Sequence, residues 1–592
     1  MADQSTGIQH AVPQVQSSEE EKNCQAYGAD GIEALHMPYS IDSAEVPATP
    51  RSMQTLEDDE KAALAQAAPK QEHQYVTGLE FYVLLFGMLI SLFLVGLDQT
   101  IVATAVPKLA SDFNALQQVP WVASAYLLPQ PGLMLTYGQL LTVTSIRWVF
   151  FSAVSLFEIG CAICGAAPNM TILIFGRAVS GVGAAGVMVS FMVLLARISP
   201  IEHRAFLFSL VAGVMFMSTV LGPLLGGVLT DRVSWRWCFF LSLPFGVISL
   251  TSIASLVKPE YSVPTDKSIP TWKRIARLDW IGSALLVATG TALLLPLQWG
   301  GVTKSWNDKA VIASFCVFAI LFPVLLAWEW SRGGRAVLPL HLFHSRTQVG
   351  CCLEGFFLQV AFSLTQYYLP LYYQSAEEHS ATKSGVDLLT YMLVAVVTTL
   401  VVGAIIGRTG HPLPFLVVPP LFAALAFGLI VWTLVSHPSA KNLLGFEALA
   451  GFGIGCAIQN TLVAIQAEYH DEPQKIPQSS SLVNFSKWTG GALGLAAGGG
   501  IFGNRLSSSV TAFAPDLPPE TSEAVKQSVI AIHSLTGQDK VNVLRAYSNA
   551  LGCVFAIGIP CMVLASASGL LIKNFDLRRM RKPATPVRQE SA

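Results

Sequence analysis

Three ionisable side chains stand inside long apolar runs: Asp98 near the end of one, Glu158 in the middle of another and Arg177 at the start of a third. An ionised carboxylate in hydrocarbon costs on the order of several kcal/mol even after relaxation. Each acid must therefore face a cavity, pair with a cation or hold a proton, and all three conditions suit a proton carrier. Arg177 is the cation that would hold Asp98 or Glu158 ionised and release it when a proton or a substrate arrives. The structural alternatives are a helix-end acid reaching the headgroups for Asp98, and a fixed ion pair or headgroup anchor for Arg177.

A second set of polar groups comes later in the chain. Glu354, Gln359, Gln366, Gln459 and Asn460, with Asn484 and Lys487 nearby, are candidates to line a substrate cavity, against the alternative of hydrogen bonds between helices. Gln459 and Asn460, two turns past a Gly-x-Gly, are the better pair. Trp121 and Tyr126 are cavity candidates on equal terms with interfacial and core aromatics. Cys161 and Cys164 have CxxC spacing but no nearby His or second pair, so core packing is expected and no metal site. The chain holds no Gly-Lys pair and hence no phosphate-binding loop. No cofactor, no nucleic acid and no enzymatic activity are expected.

The elements that must position these residues are membrane spans. Fourteen apolar stretches of about twenty residues, each long enough to cross a hydrocarbon core of about 30 Å, are predicted at 81–102, 120–141, 148–167, 171–195, 206–229, 238–257, 280–298, 311–330, 349–373, 385–407, 413–434, 443–466, 484–503 and 550–572. Charged residues make up 12% of the chain, against about 25% in a soluble protein, and most lie between the stretches. The predicted fold class is therefore all-α and multi-pass, with the lipid bilayer as solvent. Arg197, Arg204, Lys258, Lys273, Arg274, Arg277, Arg332, Arg335, Arg346 and Lys573 all fall on the side of the two tails, which the positive-inside rule makes cytosolic; Arg232, Arg236 and Lys304 dissent. A short amphipathic helix is expected near Glu523 to His533 in the longest far-side loop.

The chain also repeats itself. Arg177 precedes Gly181-Val182-Gly183 by the same interval at which Glu447 precedes Gly451-Phe452-Gly453, eight spans later. The fifth span carries Gly213, Gly222-Pro223 and Gly226-Gly227, while the thirteenth carries Gly490-Gly491, Gly494 and Gly498. Glycines at such spacing let helices approach to backbone contact, and Pro223 removes one intrahelical hydrogen bond. Two six-helix halves with spans seven and eight inserted between them account for both coincidences. A site between paired halves at the midplane is the architecture of secondary transporters.

These residues carry a resemblance to the major facilitator superfamily, and within it to the fourteen-span drug:proton antiporters and the fungal toxin and multidrug efflux carriers. The matching segments are Leu97-Asp98 through Leu109, Phe157-Glu158-Ile159-Gly160, Gly176-Arg177-Ala178, Gly222-Pro223 with Gly226-Gly227, Ser234-Trp235-Arg236-Trp237, Leu278-Asp279-Trp280-Ile281-Gly282 and Tyr367-Tyr368-Leu369-Pro370. In the superfamily the loop between spans two and three latches the halves. Of its usual pattern only Gly138 and one cation, Arg147, survive; Gln139, Thr142, Ser145 and Ile146 replace the rest. An altered gating balance is expected.

The resemblance implies a major facilitator fold: a tail at 1–78, a six-helix half at 79–258, an inserted pair at 259–335, a second half at 336–573 and a basic tail at 574–592. It implies proton-coupled export of a small organic compound by a monomer in the plasma membrane, or in a vacuolar or vesicle membrane. Asp98, Glu158 and Arg177 would couple the proton, and Gly138, Arg147, Gly213, Gly222, Pro223, Gly226 and Gly227 would serve gating and packing. Proton-coupled uptake of a siderophore and a membrane sensor that moves no solute are the rival expectations.

Overall fold

The computed structural model describes residues 78–113, 119–258, 270–300, 304–379, 381–436, 442–527, 532 and 535–580, all of which belong to one unit. The tail expected at 1–78, apart from Gly78, and most of the one at 574–592 lie outside the described residues. Among the described residues the backbone is helical apart from turns and one isolated bridge between Gly300 and Lys304. A chain in hydrocarbon must satisfy its own backbone N–H and C=O groups, and a helix does so within each segment.

The helices that cover the first predicted half are α1 (Leu79–Phe113), α2 (Val119–Leu127), α3 (Pro129–Val143), α4 (Ile146–Ala166), α5 (Met170–Ile198), α6 (Ile201–Arg232), α7 (Trp237–Phe240) and α8 (Ser242–Leu256). Next come α9 (Thr271–Ala276), α10 (Trp280–Trp299) and α11 (Lys309–Arg332). The second half holds α12 (Arg346–Ser375), α13 (Ala381–Thr409), α14 (Leu413–Val417), α15 (Pro419–Ser436), α16 (Leu443–Ala457), α17 (Asn460–Glu468), α18 (Ile476–Phe513), α19 (Pro519–Gln527), α20 (Gly537–Ala556) and α21 (Gly558–Gly569). The amphipathic helix expected near Glu523 to His533 is α19, which starts earlier; His533 is outside the described residues.

Twelve segments among the described residues are long and apolar enough to cross a membrane. Two predicted spans are not among them. The stretch at 120–141 is split into α2 and α3 at Leu128, where Pro129 opens the second piece. The stretch at 484–503 lies within α18, a 38-residue helix whose middle is rich in Gly and Ala.

Packing sorts the helices into two groups. In the first, α1 lies against α6 and α8, and α4 against α5; in the second, α12 lies against α18 and α21, and α16 against α13 and α15. The pair α10 and α11 pack on each other, with α10 also touching α3 and α18. Only 11% of the apolar window of α11 is buried, as suits a helix facing lipid. Asp279 joins the pair: it accepts from Gly282 N at 2.9 Å as the N-cap of α10 and from Trp328 Nε1 of α11 at 3.0 Å.

The sequence repeat is also a packing repeat. A Cβ added at Gly181 would lie 2.3 Å from the carbonyl oxygen of Tyr126, and one at Gly451 would lie 2.4 Å from that of Tyr391. At Gly183 it would strike Phe157 N of α4 at 2.3 Å, and at Gly453 Pro419 O of α15 at 2.5 Å. In each half the first glycine seats the fourth predicted span on the second, and the next glycine seats it on the third. Both contacts bring backbone to backbone, which no larger residue permits.

The two groups meet through α6 with α13 and through α3 with α18. Their named close contacts lie at the tail-side ends. A Cβ at Gly138 would fall 2.3 Å from Ser481 Oγ, and one at Gly403 would fall 2.7 Å from Ala205 O. Arg197 Nη2 donates to Pro473 O at 2.6 Å, and Arg204 Nη1 to Gln466 Oε1 at 3.4 Å. Farther from the tails two glycines of α6 have room: Gly213 has only Val396 at 3.9 Å, and Gly227 has nothing within 4 Å.

Candidate functional site

Asp98 on α1 and Arg177 on α5 form a buried ion pair, Arg177 Nη1 to Asp98 Oδ2 at 2.6 Å, with side chains 4% and 2% exposed respectively. Three contacts hold the guanidinium. It donates from Nε to the carbonyl of Val122 at 3.0 Å, and its carbon lies 4.2 Å above the ring of Tyr126, whose hydroxyl donates to Val95 O at 3.3 Å. A planar cation with a fork of donors satisfies these directions together. Asp98 Oδ1 accepts nothing and is fully buried. The pair is thus charge-balanced but leaves one carboxylate oxygen open to a proton or a donor.

Of the sequence candidates, Asp98, Arg177 and Tyr126 come together. Glu158 does not join them. Its carboxylate lies against α8, where a Cβ on Gly246 would strike it, and neither oxygen accepts a hydrogen bond; Ser242 donates instead to Phe239 O at 2.8 Å. Trp121 is also separate, edge-on to Trp299 of α10 with ring centroids 5.6 Å apart.

The later candidates gather in the second half. Glu354 of α12 is completely buried and neither of its oxygens accepts a hydrogen bond. Lys487 of α18 lays its stem over Gly355, one residue away, and donates to Ile458 O at 2.7 Å. That carbonyl belongs to the break between α16 and α17, where Gln459 keeps a buried, unpartnered Oε1 and Asn460 Nδ2 returns to Cys456 O at 2.6 Å. Gln359 is half-buried over Gly491, and Gln366 is half-buried on the same helix.

The gating candidates divide by what they touch. Gly222 is where α6 meets α1, since a Cβ there would lie 2.0 Å from Thr100 Oγ1, which itself donates to Ser218 O at 3.0 Å. Gly222 therefore bears on the segment that carries Asp98, while Pro223 beside it is exposed. Gly226 is buried with its carbonyl 3.9 Å from Cys238 Sγ. Arg147 donates to Ala254 O within its own half, and Thr142 Oγ1 to Gln139 O at 2.7 Å. Gln139 Nε2 reaches Arg335 O at 2.7 Å, which ties the altered loop to the segment ahead of α12.

Several working residues escaped sequence reasoning. Arg197, Arg204 and Gln466 cross between the halves, although the two arginines counted only as topology markers by their charge. Arg236 dissented from the charge bias because it closes a helix end, donating to Gly165 O at 2.9 Å and Ala167 O at 2.7 Å where α4 stops. Its neighbour Trp235 donates from Nε1 to Asp112 Oδ2 at 2.8 Å. The repeated Gly-x-Gly was the signal for one further residue, Glu447.

The family model described as Major Facilitator Superfamily matches residues 88–495. The chain belongs to the major facilitator superfamily. Among related proteins, this superfamily member is 33% identical over 531 residues to the MFS-type transporter astH of Aspergillus oryzae, covering 90% of this chain and 91% of the relative. It is 36% identical over 448 residues to the MFS-type efflux pump MFS1 of Trichophyton rubrum, covering 75% and 82%. It is 31% identical over 521 residues to the efflux pump aflT of Aspergillus parasiticus, covering 87% and 99%. Among solved structures, a double-tryptophan mutant of XylE aligns with a TM-score of 0.51 at 12% identity, over 84% of this chain and 98% of that one, a likeness of fold alone. The protein is a multi-pass membrane transporter.

Proposed function

We propose that this transporter exports a small organic compound, a fungal secondary metabolite or toxin, in exchange for protons. The observation that carries the reading is the Asp98 and Arg177 pair, a compensated acid inside a span with one open carboxylate oxygen. Protonation of Asp98 removes the charge that holds Arg177, and deprotonation restores it. A conformational equilibrium that buries or opens the site then responds to proton occupancy. The names of the relatives speak of efflux, which favours export over siderophore uptake. The tail-side contacts at Gly138, Arg197 and Arg204 do the work of the missing loop charges, which favours a moving carrier over a sensor.

The same reading takes α2 with α3 and α18 as the two crossings beyond the twelve, for fourteen in all. Both tails then share one side, made cytosolic by its basic residues, in the plasma membrane. The halves 79–258 and 336–573 rock about the site with 259–335 between them, the protein acting as a monomer. The test uses inside-out vesicles from cells expressing the full chain, with dye or toxin uptake followed under an imposed pH gradient. Uptake that collapses with a protonophore and ignores ATP is expected. Uptake that requires ATP and ignores the protonophore overturns the reading.

A further inference from the structure

Glu447 occupies in the second half the place that Arg177 holds in the first. Each stands four residues before its Gly-x-Gly, on a helix that glycine seats against the carbonyl of a tyrosine, Tyr126 or Tyr391. Each also reaches back to the first helix of its own half. Arg177 meets Asp98 on α1; Glu447 Oε1 accepts from the hydroxyl of Tyr373 on α12 at 2.5 Å. The chemistry differs in one respect. Asp98 has a cation against it, whereas among the described residues none lies within ion-pair distance of Glu447.

Glu447 is completely buried and its Oε2 accepts no hydrogen bond. A buried carboxylate with one neutral donor and one bare oxygen lacks compensation for a negative charge. Its ionisable neighbours are Tyr372 and Tyr373 from α12 and Asp387 from α13; behind them stand Glu377, bonded to Tyr372, and His379, bonded to Asp387 and Lys383, with Tyr391 one turn past Asp387 on α13. α14 and α15 bring no ionisable residue, and the charge on α17, Glu468, is at its opposite end. Of these, Asp387 opposes a second negative charge.

The chain after α12 is bent to keep this cluster together. Glu378 takes a left-handed conformation, φ 55°, with its carboxylate 2.7 Å from Lys540 Nζ, and His379 N returns to Tyr373 O at 3.0 Å. The His379 ring consequently stacks on Tyr373, centroids 5.7 Å apart and planes 1° apart. Its Nε2 lies 2.8 Å from Lys383 Nζ and its Nδ1 2.6 Å from Asp387 Oδ2. An ammonium only donates, so Nε2 accepts and Nδ1–H faces the carboxylate. His379 and Asp387 are 19% and 18% exposed, at the end of the bundle opposite the tails.

We infer that Glu447 is a second proton-binding site, in the second half of the carrier, entered from the far side past His379 and Asp387 and held ready by Tyr373. The proton comes from far-side water and forms one O–H bond on Oε2, leaving the Tyr373 hydrogen bond on Oε1. The carboxyl is then neutral and its burial is no longer opposed. With Asp98 the carrier then has a proton-binding acid on a span of each half, so proton occupancy is felt on both sides of the moving interface. The site itself rests on geometry; its effect on transport rests on the proton exchange proposed above.

The experiment is infrared difference spectroscopy on the full chain in nanodiscs, titrated with protons in H2O and D2O. Wild type is expected to show a carbonyl band of a water-shielded carboxylic acid that disappears on alkalinisation, is lost in Glu447→Gln and persists in Asp98→Asn. Tyr373→Phe keeps the band but moves it to higher frequency, because one hydrogen bond is gone, and His379→Ala slows its return after acidification. A wild-type spectrum that matches Glu447→Gln at every pH overturns the inference. Should Glu447→Gln fail to fold, an unmoved band in Tyr373→Phe overturns it instead. If the band behaves as expected while wild-type vesicles ignore the pH gradient, the exchange reading falls and the Glu447 site stands.

Discussion

Asp98 and Arg177 place the sharpest demands on single side chains. Asp98→Asn keeps the shape and an acceptor for Arg177 Nη1, while Val122 O and the Tyr126 ring still hold the guanidinium. Breaking a buried pair outright costs about 3–5 kcal/mol, so the retained acceptor should keep the variant folded, though less stable than wild type. Gradient-driven export should be abolished at equal surface level, and Asp98→Glu should keep part of it with a displaced pH optimum. Drug or toxin accumulation in vesicles measures both. Full export by Asp98→Asn would place the coupling at Glu158, Glu354 or Glu447. Arg177→Lys should also fail, because one ammonium cannot meet Asp98, Val122 O and the Tyr126 face together. Thermal unfolding in detergent should show its loss as a lower midpoint than wild type.

At the scale of helices, the glycines of α6 have unequal roles. Gly222→Val drives a side chain into Thr100 and Ile101 of α1, an overpacking worth about 1–3 kcal/mol, beside the segment that carries Asp98. Reduced export and a lowered midpoint are expected. Gly227→Val meets open space and should leave both nearly unchanged. Equal damage from the two would show that the face of α6, rather than its contact with α1, is what matters. In the altered loop, Thr142 stands at the C-terminal end of α3 and donates to Gln139 O. Thr142→Asp removes that donor and sets a negative charge at the negative end of a helix dipole, a loss of about 0.3–1 kcal/mol. Restoring the residue usual in the family should therefore weaken the loop here, as a melting series against Thr142→Val will report.

For the whole molecule, the halves touch on the tail side through Gly138 against Ser481 and through Arg197 and Arg204 reaching the second half. Gly138→Leu should separate α3 from α18 and raise the labelling of a Ser481→Cys reporter by a membrane-impermeant maleimide applied from the tail side. Unchanged labelling would mean that the arginines alone hold the halves. The order of elements was legible in the sequence because a span is a local property, a run of apolar residues as long as hydrocarbon is thick. So was the equivalence of Arg177 and Glu447, because Gly-x-Gly repeats wherever backbone must touch backbone. The exceptions are also local in origin: Pro129 splits one stretch, and the small residues of α18 lower the hydropathy of another. By itself, then, the sequence determined that this is a helical membrane carrier, where its helices run and which few charges they bury. Only the tertiary structure decided that Arg177 takes Asp98 and leaves Glu158 to Gly246, that Gly222 is a contact and Gly227 is not, and that two arginines reach across to the second half. Those outcomes depend on how helices rotate and cross, and two residues a hundred positions apart acquire a distance only when the helices between them have packed.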